Sequence, residues 1–172
     1  MIDRIEKKFV IKKKLLNEFI NFIEINKKMK RSFKDRKVNS LYFDNDNSKF
    51  ILENLNGFAN RIKLRLRWYN KEVKLITFEA KIKKGNKTEK IQKKFVNKES
   101  IFELIKHRKL NEFIPSNFQT SDNFFINSLI NYNRTYYESE FCRLTIDKNI
   151  RYFNIHNNKI DRMFIEDDLI IV

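Results

Sequence analysis

The chain has 172 residues, enough for one domain whose core needs no disulfide staples. Its 37 Lys and Arg stand against 22 Asp and Glu, a formal charge of +15 whose self-repulsion an anionic partner would relieve. Seventeen Phe exclude a disordered basic tail, the single cysteine (Cys142) excludes a disulfide framework or thiolate zinc site, and no window approaches the roughly 20 apolar residues of a membrane span.

Asp3 and Glu6 in the first ten residues are unlike a signal peptide, and the expectation is a soluble cytoplasmic domain. With only His107 and His156 available, a divalent ion would rest on carboxylates, which suits Mn²⁺ or Mg²⁺. The excess of Asn, Lys and Ile over Gly and Pro points to AT-rich coding, so the placement of the lysines must decide, not their number.

In chain order, RIEKKFVI (4–11) alternates in polarity and predicts a short strand. Leu15, Leu16, Phe19, Ile20 and Ile23 recur at helical spacing and predict an amphipathic helix. The basic stretch from Lys27 to Lys37 reads as a loop before a strand at Val38–Phe43. DNDNS (44–48) supplies capping side chains for a helix through Phe50, Ile51, Leu52 and Leu55, stopped by Gly57. Strands follow at 60–69, 74–83 and 88–96, the last two joined by a turn at Gly85 and Asn86. Ser100 and Glu103 form a capping box for the next helix. Residues 109–124, with Pro115, read as a connection, and strands resume at 126–138, 141–153 and 159–165. Cys142 is expected to pack within a strand, Trp68 in the core, and His107 and His156 at the surface. The chain therefore reads as one α+β domain, 1–172, whose antiparallel strands close or nearly close into a barrel.

Alternate residues of a strand share a face, and here the parity of charge is informative. Arg4, Glu6 and Lys8 align, as do Arg61, Lys63, Arg65 and Arg67 opposite Ile62, Leu64, Leu66 and Trp68. Glu79, Lys81 and Lys83 oppose Phe78, Ala80 and Ile82; Lys90, Gln92 and Lys94 oppose Ile91 and Phe95. Tyr132, Arg134 and Tyr136 form a further row, and Arg143, Thr145, Asp147 and Arg151 another. A solvated outer face explains any one of these strands. Rows of like charge are costly across a sheet unless anions lie over them, and arginine's planar fork suits phosphate. The charged faces are therefore expected to line a polyanion site, with the apolar faces against the helices.

Taken in order, RIEKKFVI (4–11), SLYFDND (40–46), RIKLRLRWY (61–69), FEAKIKK (78–84), YNRTYY (132–137) and RLTIDKNIRY (143–152) are similar to the VTC domain of the triphosphate tunnel metalloenzymes, a CYTH-like superfamily. That resemblance implies an eight-stranded tunnel β-barrel flanked by amphipathic helices. It implies a polyphosphate polymerase that moves the γ-phosphoryl group of ATP onto a polyphosphate chain with Mn²⁺ or Mg²⁺. Lys8, Arg65, Arg67, Lys81 and Arg134 are then the catalytic, phosphate-gripping residues; Arg4, Lys63, Tyr132, Lys90, Lys94 and Arg143 bind substrate; Glu6 and Glu79 hold the metal. In the family the barrel ends on an apolar-Glu-apolar-Lys strand, whereas this chain ends at DDLIIV (167–172). The expectation is a domain C-terminally incomplete, its last strand missing or truncated, with Glu166, Asp167 and Asp168 in an exposed acidic turn. The alternatives are a triphosphate hydrolase of the same fold acting on RNA or inorganic triphosphate, and a non-catalytic polyphosphate-binding module. Nucleic acid ranks last among the partners, and a membrane-bound partner stays open.

Overall fold

The structure, a computed structural model, describes residues 6–45, 48–106, 113–114, 124–157, 159–161 and 163–172. Its elements are β1 (Val10–Lys12), α1 (Leu16–Asn26), β2 (Lys30–Asn45), α2 (Lys49–Leu55), β3 (Arg61–Tyr69), β4 (Glu72–Lys84) and β5 (Lys87–Val96), then α3 (Ile101–Lys106), β6 (Phe124–Glu138), β7 (Arg143–His156), β8 (Lys159–Ile160), β9 (Ile165–Asp167) and β10 (Leu169–Ile171). Hydrogen bonding orders the strands β1-β10-β7-β6-β2-β3-β4-β5, with β8 and β9 both against β7. The result is a mostly antiparallel sheet of ten strands, not the expected eight-stranded closed barrel. Among the described residues the path ends at β1 and β5 without joining them. Closure requires the end strands to pair. The end strand β5 instead carries Lys87, Lys90, Lys93 and Lys94, a pattern that discourages pairing along an edge.

Two compact units divide the chain: residues 1–37, 131–151 and 165–172 in one, and 38–130 and 152–164 in the other. In the second unit the end of β2 pairs with β3, β3 with β4 and β4 with β5, a meander of neighbours in sequence. Its apolar face matches the expected parity. Leu41, Phe43, Leu64, Leu66, Trp68, Ile76, Phe78 and Ala80 are buried there with Phe50 of α2 and Ile101, Leu104 and Ile105 of α3. Gly85 makes the β4–β5 turn at a φ of 59° that a side chain would resist. Trp68 is core, as its alternation predicts.

In the first unit the stripe Leu16, Phe19, Ile20 and Ile23 of α1 packs on Ile11, Met29, Tyr137, Leu144, Ile146 and Ile170. β10 lies between β1 and β7, with Val10 opposite Ile171 and Ile171 opposite Asp147. The terminal segment thus contains a short paired strand, Leu169–Ile171. Glu166 and Asp167 belong to β9, Glu166 bound to Arg151 at 2.8 Å, so the acidic run is not simply a turn. The strand expected over 4–11 shrinks to Val10–Lys12, lengthened by the reciprocal 2.9 Å backbone bonds of Phe9 and Val172. Alternation in polarity makes no strand without a partner ladder, and residues 6–8 meet none among the described residues.

The basic stretch from Lys30 to Lys37 is strand, continuous with Val38–Phe43, and not a loop. Its side chains are largely exposed, so no apolar period marks it. Cys142 is exposed in the β6–β7 turn, its N–H donating to Ser139 Oγ at 3.3 Å, and does not pack within a strand. His156 is at the surface as expected, 3.9 Å from Asp161. His107 and Pro115 lie outside the described residues, as does most of 109–124. No helix among the described residues is long and apolar enough to cross a membrane.

The start of α2 shows how closely the local sequence is used. Its four orphan N–H groups are all satisfied: Ser48 by the Asn45 carbonyl (2.9 Å), Lys49 by Asn45 Oδ1 (2.9 Å), and Phe50 and Ile51 by the Asp44 carboxylate (2.9 and 3.1 Å). Asp44 is fully buried and also accepts from the Asn45 N–H at 2.9 Å. Replacing Asp44 by Ala strands these donors, and urea denaturation is expected to show a loss of about 2 kcal/mol.

Candidate anion-binding site

The meander's other face carries the charge, and its register sets the geometry. Antiparallel partners directly opposite project from the same face. One row runs Tyr42–Arg65–Glu79–Gln92, and the next Ser40–Arg67–Thr77–Lys94. On the other side of the first lie Lys63–Lys81–Lys90 and then Arg61–Lys83–Thr88. Every position of these rows except Glu79 is cationic or neutral. Arg65, Arg67, Lys63, Lys81, Lys90 and Lys94, chosen by parity along separate strands, therefore share one surface, and the expected clustering is found for them. Lys63, Lys81, Lys90 and Lys94 are exposed; Arg67, Glu79 and Ser40 are buried.

Glu79 is the hub. Arg65 donates from Nε to its Oε2 at 2.6 Å, with Nη2 at 2.5 Å, and Arg67 Nη1 stands 3.5 Å from the same oxygen. Gln92 Nε2 donates to Oε1 at 2.7 Å, and Lys90 Nζ is 3.4 Å from it. Burial pushes the Glu79 carboxyl up, but Arg65, Arg67 and Lys90 outweigh it and hold the group below the usual carboxylate range. Burial likewise opposes the charge on Arg65, yet Tyr42 and Glu79 prevail and its pKa rises. Arg65 Nη1 donates to the Tyr42 hydroxyl at 3.1 Å, and Arg67 Nε to Ser40 Oγ at 3.4 Å. Both arginines are thus oriented from β2 as well as β4. Tyr42, Ser40 and Gln92 are site residues that sequence reasoning missed as such; the shared parity of Ser40 and Tyr42 in SLYFDND is the signal that marks the first two.

The first unit holds the remaining candidates. Arg134 grips Asp147 with two bonds, Nε to Oδ1 and Nη2 to Oδ2, each 2.6 Å. Burial works against its charge, but this pair overcomes it and raises the pKa further. Its guanidinium lies over the Tyr132 ring, 5.2 Å from the centroid. Arg143 is exposed and donates to Glu138 at 2.9 Å, and Lys8 is exposed 3.7 Å from Glu6. Arg4 lies outside the described residues.

Among the described residues the carboxylates do not make a metal centre of protein ligands. Glu6 is tied to Lys8, and both oxygens of Glu79 already face protein donors. Among the described residues no three His, Cys, Asp or Glu side chains gather into a group that could hold an ion. What the face supplies is fixed positive charge and oriented N–H donors, the chemistry of an anion cradle.

Comparison with known proteins agrees with that chemistry. The family model described as the VTC domain matches residues 3–171, nearly the whole chain. No curated protein matches.

Glu79 also makes the site sensitive to acid. Its folded pKa lies below the unfolded value of about 4.3, so its stabilisation is complete above that value and is lost as pH falls through the folded pKa. Glu79→Gln is expected to lose about 3 kcal/mol at neutral pH and to show a flatter stability profile below about pH 4 than the parent. Urea denaturation at stepped pH measures both.

Proposed function

The chain belongs to the VTC domain family, the tunnel-fold polyphosphate polymerase group, and from that premise we propose that its cationic face holds polyphosphate and the triphosphate of ATP and supports transfer of the γ-phosphoryl group onto the chain. One observation carries the reading: three registered rows across β3–β5, two of them reaching β2, bring Arg65, Arg67, Lys63, Lys81, Lys90 and Lys94 onto one face with Glu79 as the only carboxylate of those rows.

Phosphoryl transfer asks a protein for alignment and charge neutralisation more than for covalent chemistry. Successive rows on a strand face are about 7 Å apart, so a linear polyanion lying along β3 meets fresh cations at each row. Arg65 and Arg67, held by Tyr42, Ser40 and Glu79, supply rigid forks that lose little freedom on binding. The exposed lysines supply mobile charge around them. Arg134, Tyr132, Arg143 and Lys8, all in the first unit, are proposed to bind phosphate there. Mn²⁺ or Mg²⁺ would supply charge neutralisation on the phosphate oxygens. Of the carboxylates expected to meet it, Glu6 is tied to Lys8, and both oxygens of Glu79 already face protein donors. That saturation also favours a second reading, a polyphosphate-binding module without turnover.

Incubation with ATP and Mn²⁺, followed by separation of long chains from free phosphate, decides between these readings. Long-chain product that disappears in Arg65→Ala supports the polymerase. Free phosphate alone points to the hydrolase, and tight polyphosphate binding with neither product points to the module. In each case Arg65→Ala is expected to weaken tripolyphosphate binding roughly 30-fold, about 2 kcal/mol, by calorimetric titration; unchanged affinity would sink the cationic-face reading.

A further inference from the structure

Outside the meander, a second group of planar side chains gathers on β6 and beside it on β2. On β6, Tyr132, Arg134 and Tyr136 alternate along a half-exposed face, while Asn131, Thr135 and Tyr137 are buried behind them. Near the start of β2, Arg36 brings its guanidinium carbon 4.9 Å from the Tyr136 ring centroid and 5.9 Å from that of Phe33. Phe33 meets Tyr136 edge-on, with centroids 5.6 Å apart and planes at 77°. Phe33 belongs to neither core cluster and is 57% exposed, although it sits in a basic stretch between Arg31 and Lys34.

A phenyl ring held open to water gains nothing from burial. A guanidinium beside two rings is a planar, weakly hydrated cation, and flat heteroaromatic rings stack on such groups. Along the same face of β6, about 7 Å from Tyr136, stands Arg134, already aligned by Asp147. A base and a phosphate group of one nucleotide fit that separation.

We propose that Phe33, Arg36 and Tyr136 form a stacking site for a nucleobase, which takes the base of the nucleoside triphosphate whose phosphates Arg134 meets. The inference deepens the proposed function and rests on it for the identity of the ligand. Base stacking is sequence-tolerant because every base has a π-face, so the site favours purines through their larger area and does not read their edges. It would give ATP an affinity term that bare polyphosphate lacks, allowing the donor to be told from the product chain.

Two substitutions outside the core clusters test it. Arg36→Lys keeps the charge and removes the plane; Phe33→Leu keeps apolar bulk and removes the ring. In both, ATP affinity is expected to fall roughly fivefold to tenfold, with tripolyphosphate affinity held within about twofold of the parent, as measured by calorimetry. AMP titrated into the parent protein should also shift the ring-proton NMR signals of Phe33 and Tyr136, and the Tyr136 shift should shrink in both variants. AMP that leaves those signals unmoved, or variants that weaken ATP and tripolyphosphate equally, would overturn the stacking site. A parent protein that binds no tripolyphosphate would overturn the polyphosphate reading instead, and the AMP arm would still decide this one.

Discussion

The contact between Glu79 and its ring of donors is what the cationic face depends on. Arg65, Arg67 and Lys90 converge on one buried carboxylate, with Gln92 completing its coordination. Without an anion among them, neighbouring cations on β3, β4 and β5 would repel across the ladder. With one, the arginines gain fixed directions and the lysines around them stay exposed for a ligand. The same carboxylate restrains any simple picture of catalysis. Both of its oxygens are committed to protein donors, while the face around it keeps a large excess of positive charge.

Much of this was legible in the sequence, for a definite reason. The second unit is a meander of sequential strands, and within it parity alone fixes which residues share a surface. Arg65, Arg67, Lys81 and Lys90 could be grouped on that basis, and Trp68 assigned to the core. Register was not legible. That Arg65 stands opposite both Tyr42 and Glu79 depends on where each strand starts pairing, which alternation does not specify. Tyr42 and Ser40 share a parity in SLYFDND, but that parity alone does not show that they would meet arginines.

The misreadings share a cause as well. The exposed basic half of β2 has no apolar rhythm, so a strand made by pairing alone looked like a loop. RIEKKFVI had the rhythm but, before Phe9, meets no partner strand among the described residues. The barrel was expected because so many strands in so short a chain ordinarily close; the ladder gives ten strands and an open path. In the first unit the Arg134–Asp147 pair shows a further limit. The sequence placed both residues on charged faces but could not say that Asp147 would take two of the arginine's donors.

The lysines of β5 lead to a consequence for colloidal behaviour. An unpaired edge invites other chains to add strands, and charge along it keeps them off. By alternation Lys90 and Lys94 stand on the cationic face, whereas Lys87 and Lys93 stand on the reverse. A polyanion lying over the cationic face would neutralise the first pair and leave the second pair charged. The edge therefore keeps half of its repulsion when the face is occupied, and saturation with ligand need not turn the chain into a template for its own aggregation.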